Sequence, residues 1–158
     1  KNYGRIVCTS SGSGIWGNFG QANYGAAKTA MVGFMNVLAL EGASHNMRIN
    51  CLAPGAATRM TATVPGRPPI DVDAPPPERA PSLVTPAVLY MCSEDAPTGR
   101  IFQAMGGRFS QAAMYTNPGV ELGTEASFET FCDNLDTITD MSAAEDGVAK
   151  RARQRSGG

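Results

Sequence analysis

The chain has 158 residues, 42% of them hydrophobic and 17% charged, with a formal net charge of -1. That length suits one ordinary domain, and the composition is globular rather than disordered. The near-neutral charge offers no electrostatic case for nucleic acid or an acidic membrane surface. The longest apolar stretch, within residues 26–40, is too short and interrupted to span a bilayer.

Arg5–Thr9 (RIVCT) predicts a short buried strand. Residues 10–23 are rich in Gly and Ser and read as loop. They contain GSGIWG at 12–17, which has the G-x-G-x-x-G form of a dinucleotide-binding loop. That fingerprint requires its third glycine to open a helix and an acid about 20 residues on, at a strand end. Here NFGQAN follows Gly17, the residue 20 beyond Gly17 is Val37, and the nearest acid is Glu41. Gly12, Gly14 and Gly17 therefore read as a flexible crossing rather than a pyrophosphate cradle.

Residues 24–42 (YGAAKTAMVGFMNVLALEG) predict the longest helix, with Asn23 as N-cap and Gly42 as its end. Ala26, Ala27, Ala30, Met31, Phe34, Met35, Val37, Leu38 and Leu40 run most of the way round it. Such a helix is buried on more than one side. One side can meet a sheet, and the other is expected to meet a second subunit, a homodimer through helix 24–41.

Met47–Ala53 predicts a second strand, stopped by Pro54-Gly55 and joined to the first by a right-handed parallel crossover. Residues 63–81 hold seven prolines, which forbid regular helix. Residues 82–93 predict a helix of about three turns with Pro86 in its first turn. Arg100–Ala104 predicts a third strand, ended by Gly106-Gly107. Within the acidic stretch 121–146, Phe128, Phe131 and Leu135 have helical spacing and predict an amphipathic helix. Lys150–Arg155 (KRARQR) reads as a solvated tail.

The four cysteines, Cys8, Cys51, Cys92 and Cys132, show no metal-ligand spacing. They read as small buried hydrophobes of a reducing compartment, so a cytoplasmic location is expected and no metal. The single histidine, His45, follows a helix end, where a C-terminal contact suits it better than catalysis.

Proton chemistry must then come from elsewhere. Tyr24 and Lys28 stand at i and i+4, on one helical face. An ammonium one turn from a phenol stabilises the phenolate, so the pair can exchange a proton without histidine. Taken alone, an ordinary surface pair explains the spacing as well. Ser11, though, lies thirteen residues before Tyr24, at the carboxyl end of the first strand, and PGAAT (54–58) lies at the carboxyl end of the second. Open α/β sheets bind ligands at those ends.

Ser11, Tyr24 and Lys28, the Gln21-Ala22-Asn23 lead-in and the Pro54-Gly55 turn resemble the short-chain dehydrogenase/reductase family. The fold implied is α/β, the C-terminal half of a Rossmann-like, doubly wound parallel sheet. The resemblance gives Ser11 the substrate oxygen to orient and Tyr24 the proton to exchange. It gives Lys28 the tyrosine to assist and the nicotinamide ribose to bind. Pro54, Gly55 and Thr58 would line the nicotinamide and its phosphates, with NAD or NADP as cofactor and NAD favoured.

IWGNFGQANY, NCLAPGAATRMT and SLVTPAVLYMCSEDAPTGRIFQAMGGR are further similar to the (3R)-hydroxyacyl-CoA dehydrogenase branch, that of peroxisomal multifunctional enzyme type two and its bacterial relatives. The substrate implied is an acyl thioester, with Ser11, Trp16, Phe19, Gln21 and Met60 on its side of the site. Packing between loop and helix explains Trp16 and Phe19 about as well. A 3-ketoacyl-carrier-protein reductase is the alternative enzyme, and a non-catalytic dimerisation fragment the alternative of another class.

The family's glycine-rich cofactor loop, its acidic ribose contact and its catalytic asparagine are expected before residue 1. The 158 residues alone are thus expected to be inactive. The expected organisation is a catalytic half at 1–107, an extension at 108–147 and a disordered basic tail at 148–158. The proline-dense stretch stands where relatives carry a helical substrate flap.

Overall fold

The run GRIVCT forms strand β1 (Gly4–Thr9). It lies parallel to β2 (Met47–Gly55), with Cys8 opposite Cys51 and Thr9 opposite Leu52. β2 in turn lies parallel to β3 (Ile101–Met105), with Ala53 opposite Gln103 and Gly55 opposite Met105. These are the three strands expected, in the α/β arrangement expected. The computed structural model describes residues 2–63 and 71–156, with side-chain detail to residue 151. Pro65, Pro68 and Pro69 of the proline-dense stretch lie outside the described residues.

A fourth strand, β4 (Arg108–Ala112), runs antiparallel to β3 and completes the order β1-β2-β3-β4. Its sequence, RFSQA, lacks the apolar run that marks the others. It forms because Gly106 and Gly107 adopt φ of 58° and 74°, the left-handed conformations that reverse the chain after β3. These five residues, expected to open an extension, pair with the sheet.

β2 also runs on through Pro54 and Gly55, where a stop was expected. The Ser10 N–H donates to the Leu52 carbonyl, so Leu52 turns its polar groups toward β1. Pro54, two residues on, faces the same way, but β1 pairs no further than Leu52. The missing proline N–H therefore removes no ladder bond.

Helices cover both faces of the sheet. α1 (Gly12–Trp16) and α2 (Ala22–Glu41) follow β1. Val32 and Met35 of α2 bury against Cys8, Ile49, Cys51 and Ile101. α3 (Arg59–Ala62) is a single turn after β2. α4 (Thr85–Cys92) buries Met91 against Leu52 and Ala104, which point to the opposite face. Pro86 sits in its first turn as expected, but residues 81–84 are a 3-10 turn, so the α-helix is shorter than the sequence suggested.

Two further expectations need correction here. Gly12–Trp16, read as loop, is helical because Ser11 caps it, its Oγ accepting from the Ser13 N–H at 3.2 Å. α2 starts at Ala22, so Gln21 and not Asn23 is the N-cap position. In the proline-dense stretch the described residues form turns only. Asp71 accepts from the N–H groups of Asp73 and Ala74, and Pro77–Arg79 is a 3-10 turn.

Cα packing divides the chain into two units, Lys1–Ala112 and Ala113–Gly158. In the second, the single acidic helix expected is broken. Ser127 caps α5 (Phe128–Asp133), which ends at Asn134, and α6 (Leu135–Thr139) follows. β5 (Tyr115–Thr116) pairs antiparallel with β6 (Glu145–Asp146). Where a disordered basic tail was expected, the described residues form α7 (Gly147–Ser156), whose first N–H groups at Val148 and Ala149 donate to Asp146 Oδ1. An aspartate cap at its start matches the helix dipole.

Candidate active site

The carboxyl ends of β1 and β2 gather the predicted residues. Two neighbouring serines leave β1 with different tasks. Ser10, buried, donates its hydroxyl to the Lys28 carbonyl at 2.9 Å and so ties α2 to the strand end. Ser11, half-buried, accepts from the Ser13 N–H at its Oγ. Its own hydroxyl hydrogen stays free to donate to a substrate oxygen.

Tyr24, in the first turn of α2, is half-buried. Lys28, one turn on, donates from Nζ to the Thr9 carbonyl at 3.0 Å, and its ammonium lies 5.7 Å from the centre of the Tyr24 ring. The ammonium is thus held at the end of β1, one turn from the phenol and two residues from Ser11. One of its three N–H donors is spent on Thr9, which leaves two for ribose hydroxyls. This donor set fits a nicotinamide riboside: a fixed cation, a phenol and a free hydroxyl.

GSGIWG takes another role than its pattern suggests. The N–H groups of Gly14 and Ile15 bond to the Ser11 carbonyl, and that of Gly17 to Ser13. A Cβ on Gly14 would lie 2.8 Å from Lys28 Cβ and 2.9 Å from its backbone. A Cβ on Gly25 would lie 3.2 Å from the Ser13 carbonyl oxygen. The Thr29 hydroxyl donates to the carbonyls of Gly14 and Gly25. Glycine is needed here so that α1 and α2 can approach closely, which fixes Ser11 relative to Tyr24 and Lys28.

The other candidates separate. Pro54 is exposed at the rim. Gly55 lies under the Met105 side chain, where a Cβ would come within 2.7 Å of its sulfur. Thr58 caps α3: its N–H donates to Thr61 Oγ1 and its hydroxyl accepts from the Thr61 N–H, so the N–H is spent and only the hydroxyl hydrogen is left to meet a phosphate. Gln21 Oε1 accepts from Ser13 Oγ at 2.8 Å and Asn18 Nδ2 at 3.1 Å, leaving only its amide N–H groups for a ligand. Phe19 and Met60 are exposed on the loop and on α3. Trp16, exposed at the end of α1, donates from Nε1 to Gln103 Oε1 at 3.0 Å.

Sequence reasoning passed over Ser10 and Gln103. Ser10 is legible only as half of a Ser-Ser pair. Gln103 stands in a strand whose neighbours looked like core. Cys8 and Cys51 are buried thiols pushed upward in pKa by loss of water, Cys51 to about 12. Cys92 and Cys132 are exposed, against expectation.

A half-wound parallel sheet with Ser, Tyr and Lys gathered at its carboxyl edge defines a class of nicotinamide-linked fold. The comparisons agree. The family model for short chain dehydrogenase matches residues 1–67. A short-chain type dehydrogenase/reductase of Mycobacterium tuberculosis is 41% identical over 92% of this chain and 49% of its own length. Peroxisomal multifunctional enzyme A of Dictyostelium discoideum is 44% identical over 94% of this chain and 34% of its own. The full-length peroxisomal multifunctional enzyme type 2 of Drosophila melanogaster superposes with a TM-score of 0.74 at 32% identity, covering 99% of this chain and 28% of that one.

The chain belongs to the short-chain dehydrogenase/reductase family. It spans about half the length, or less, of the curated relatives it matches. Among the described residues, no helix is long and apolar enough to cross a membrane.

Proposed function

We propose that this chain carries the catalytic half of an oxidoreductase that interconverts a (3R)-3-hydroxyacyl-CoA and a 3-ketoacyl-CoA with NAD or NADP. The observation that carries the reading is the Lys28 ammonium anchored on Thr9, beside Tyr24 and two residues from the Ser11 hydroxyl. The name of one further relative supports the acyl-CoA substrate: an acetoacetyl-CoA reductase of Acinetobacter sp. is 39% identical over 67% of this chain and 45% of its own length.

In the oxidising direction the phenolate of Tyr24 takes the proton of the substrate hydroxyl. Ser11 donates a hydrogen bond to the same oxygen and holds it at the strand end. Lys28 stabilises the phenolate and, with its two remaining donors, binds ribose hydroxyls. A nicotinamide held by Tyr24 and Lys28 would supply the hydride acceptor for the substrate carbon. In reduction Tyr24 returns its proton to the carbonyl oxygen.

The test is turnover of a 3-ketoacyl-CoA by the intact protein and by its Tyr24→Phe variant. Removing a positioned acid–base group costs roughly 10²- to 10⁴-fold. Equal turnover in the two proteins defeats the mechanism.

A second copy docked on α2 is part of the same reading. Ala26, Ala27, Ala30, Phe34 and Val37 form a stripe at i, i+4 and i+7 spacing and are all exposed. A non-catalytic dimerisation fragment would keep this stripe alone. Titrating the intact protein with NADH separates the two, because only the enzyme reading expects nicotinamide to bind at Tyr24 and Lys28. The four free thiols suit a reducing compartment, so we assign the protein to the cytoplasm. Imaging a tagged copy tests this against the peroxisomal setting in the relatives' names.

A further inference from the structure

Gln103 is a polar side chain in a row that is otherwise apolar. Ile101, two residues before it, packs in the core beneath α2. Strand alternation puts Gln103 on that same face. Both ends of its amide are used. Nε2 donates to the hydroxyl of Ser110 at 3.0 Å, its direct partner across β3 and β4. Oε1 accepts from Trp16 Nε1 at 3.0 Å.

Trp16 is 68% exposed, and it is the only tryptophan in the chain. An exposed indole with its one polar atom turned inward presents its apolar ring to whatever occupies the site. Trp16 ends the same five-residue helix that Ser11 caps. The helix rise between them is roughly 7.5 Å. Gly14 seats that helix firmly on α2, so the separation is fixed.

We propose that Gln103, locked by Ser110, is a positioning residue that sets the Trp16 ring as the wall for the acyl chain of the thioester substrate. It thereby determines chain-length preference. The proposal rests on the acyl-CoA reading above. A substrate carbonyl at Ser11 with one methyl beyond it stops short of the ring, and a chain several methylenes longer lies against it.

The test uses Gln103→Leu, Ser110→Ala and Gln103→Glu in the intact protein. Glutamate keeps an acceptor for the indole and for the serine hydroxyl, so it serves as the rescuing variant. Without ligand, Gln103→Leu should lower Trp16 fluorescence anisotropy and raise acrylamide quenching, and Gln103→Glu should restore both. Unchanged anisotropy and quenching in a folded Gln103→Leu protein overturn the clamp.

With ligand, Gln103→Leu should raise KM for 3-ketodecanoyl-CoA roughly threefold to tenfold, the worth of about one hydrogen bond. The kcat, and KM for acetoacetyl-CoA, should stay as they were. Equal changes for both chain lengths, or none for either, overturn the acyl wall and leave the redox reading standing. If the parent protein turns over neither thioester but reduces other carbonyls, the acyl-CoA reading fails, and the wall with it. If Gln103→Leu fails to fold, the same kinetic split is read in Ser110→Ala, where a uniform loss of kcat without a chain-length difference overturns the proposal.

Discussion

Gly14 and Lys28 touch backbone to backbone: a methyl group on Gly14 would lie 2.8 Å from Lys28 Cβ and 2.9 Å from the Lys28 carbonyl carbon. The atoms in the way are helix backbone and cannot rotate aside. Gly14→Ala should therefore push α1 off α2, lowering stability by about 1–3 kcal/mol in urea unfolding. It should also carry the Ser11 hydroxyl away from Tyr24 and reduce turnover. Gly12 has nothing within 4 Å of the same position. Gly12→Ala should leave stability unchanged or raise it by up to about 1 kcal/mol. A pyrophosphate loop would require both glycines, so the unequal response separates helix packing from cofactor binding.

Asn50 is fully buried and has both amide ends paired. Nδ2 donates to the Pro97 carbonyl at 2.7 Å, and Oδ1 accepts from the Arg100 N–H at 3.1 Å. It clamps the turn that delivers β3 to β2, and with β3 comes Gln103. Asn50→Ala takes this partner from the carbonyl of half-buried Pro97 and the N–H of half-buried Arg100. The expected cost is about 2–4 kcal/mol in the unfolding free energy, far above that of an exposed polar residue such as Asn18.

The elements legible in the sequence are those whose apolar residues are buried within the chain itself. RIVCT, MRINCLA and RIFQA each present alternate residues to two helical layers, and a short apolar run between turn signals records that. β4 escaped because Arg108, Phe109, Ser110 and Gln111 are exposed, so no burial pattern marks the strand. It is specified by the two glycines before it. α1 escaped because glycine was read as a breaker, although here it permits contact with α2. The acidic segment had the right spacing at Phe128, Phe131 and Leu135, but local capping at Ser127 and a break at Asn134 divided it. In the site, the roles of Ser11, Tyr24 and Lys28 came from the family resemblance, and only their shared placement at a strand end was legible from spacing. Ser10 and Gln103 were not, because their roles depend on partners 18 and 87 residues away.

Phe34 stands on the exposed side of α2, opposite the buried Val32, Met35 and Ala39. A twofold dimer built on this stripe brings the same residues together from both copies. Phe34→Glu would then set two carboxylates into one apolar seam. The expected outcome in sedimentation velocity is a shift from dimer to monomer, with far-UV circular dichroism unchanged. A protein whose sedimentation is the same with and without the charge does not dimerise through α2.

Cys8 and Cys51 face each other across β1 and β2, and loss of water raises both thiols, with Cys8 adding to the rise at Cys51. Cys51 moves from an ordinary 9.0 to about 12. The native state holds this proton more tightly than the unfolded chain. Its stabilising effect is complete below pH 9 and is lost as pH rises toward 12. Between those values the unfolded chain binds fewer protons, so stability falls with pH, by at most about 1.4 kcal/mol per unit from this group. Cys51→Ala removes the ionisation, at the expense of a small cavity. Urea unfolding of both proteins at pH 8, 9, 10 and 11 should show the variant less stable at pH 8 and the gap narrowing steadily above pH 9. A gap that stays constant to pH 11 would mean that the Cys51 thiol ionises alike in the folded and unfolded chain. Iodoacetamide gives an independent reading: at pH 8 the native protein should label at exposed Cys92 and Cys132 and at neither buried thiol.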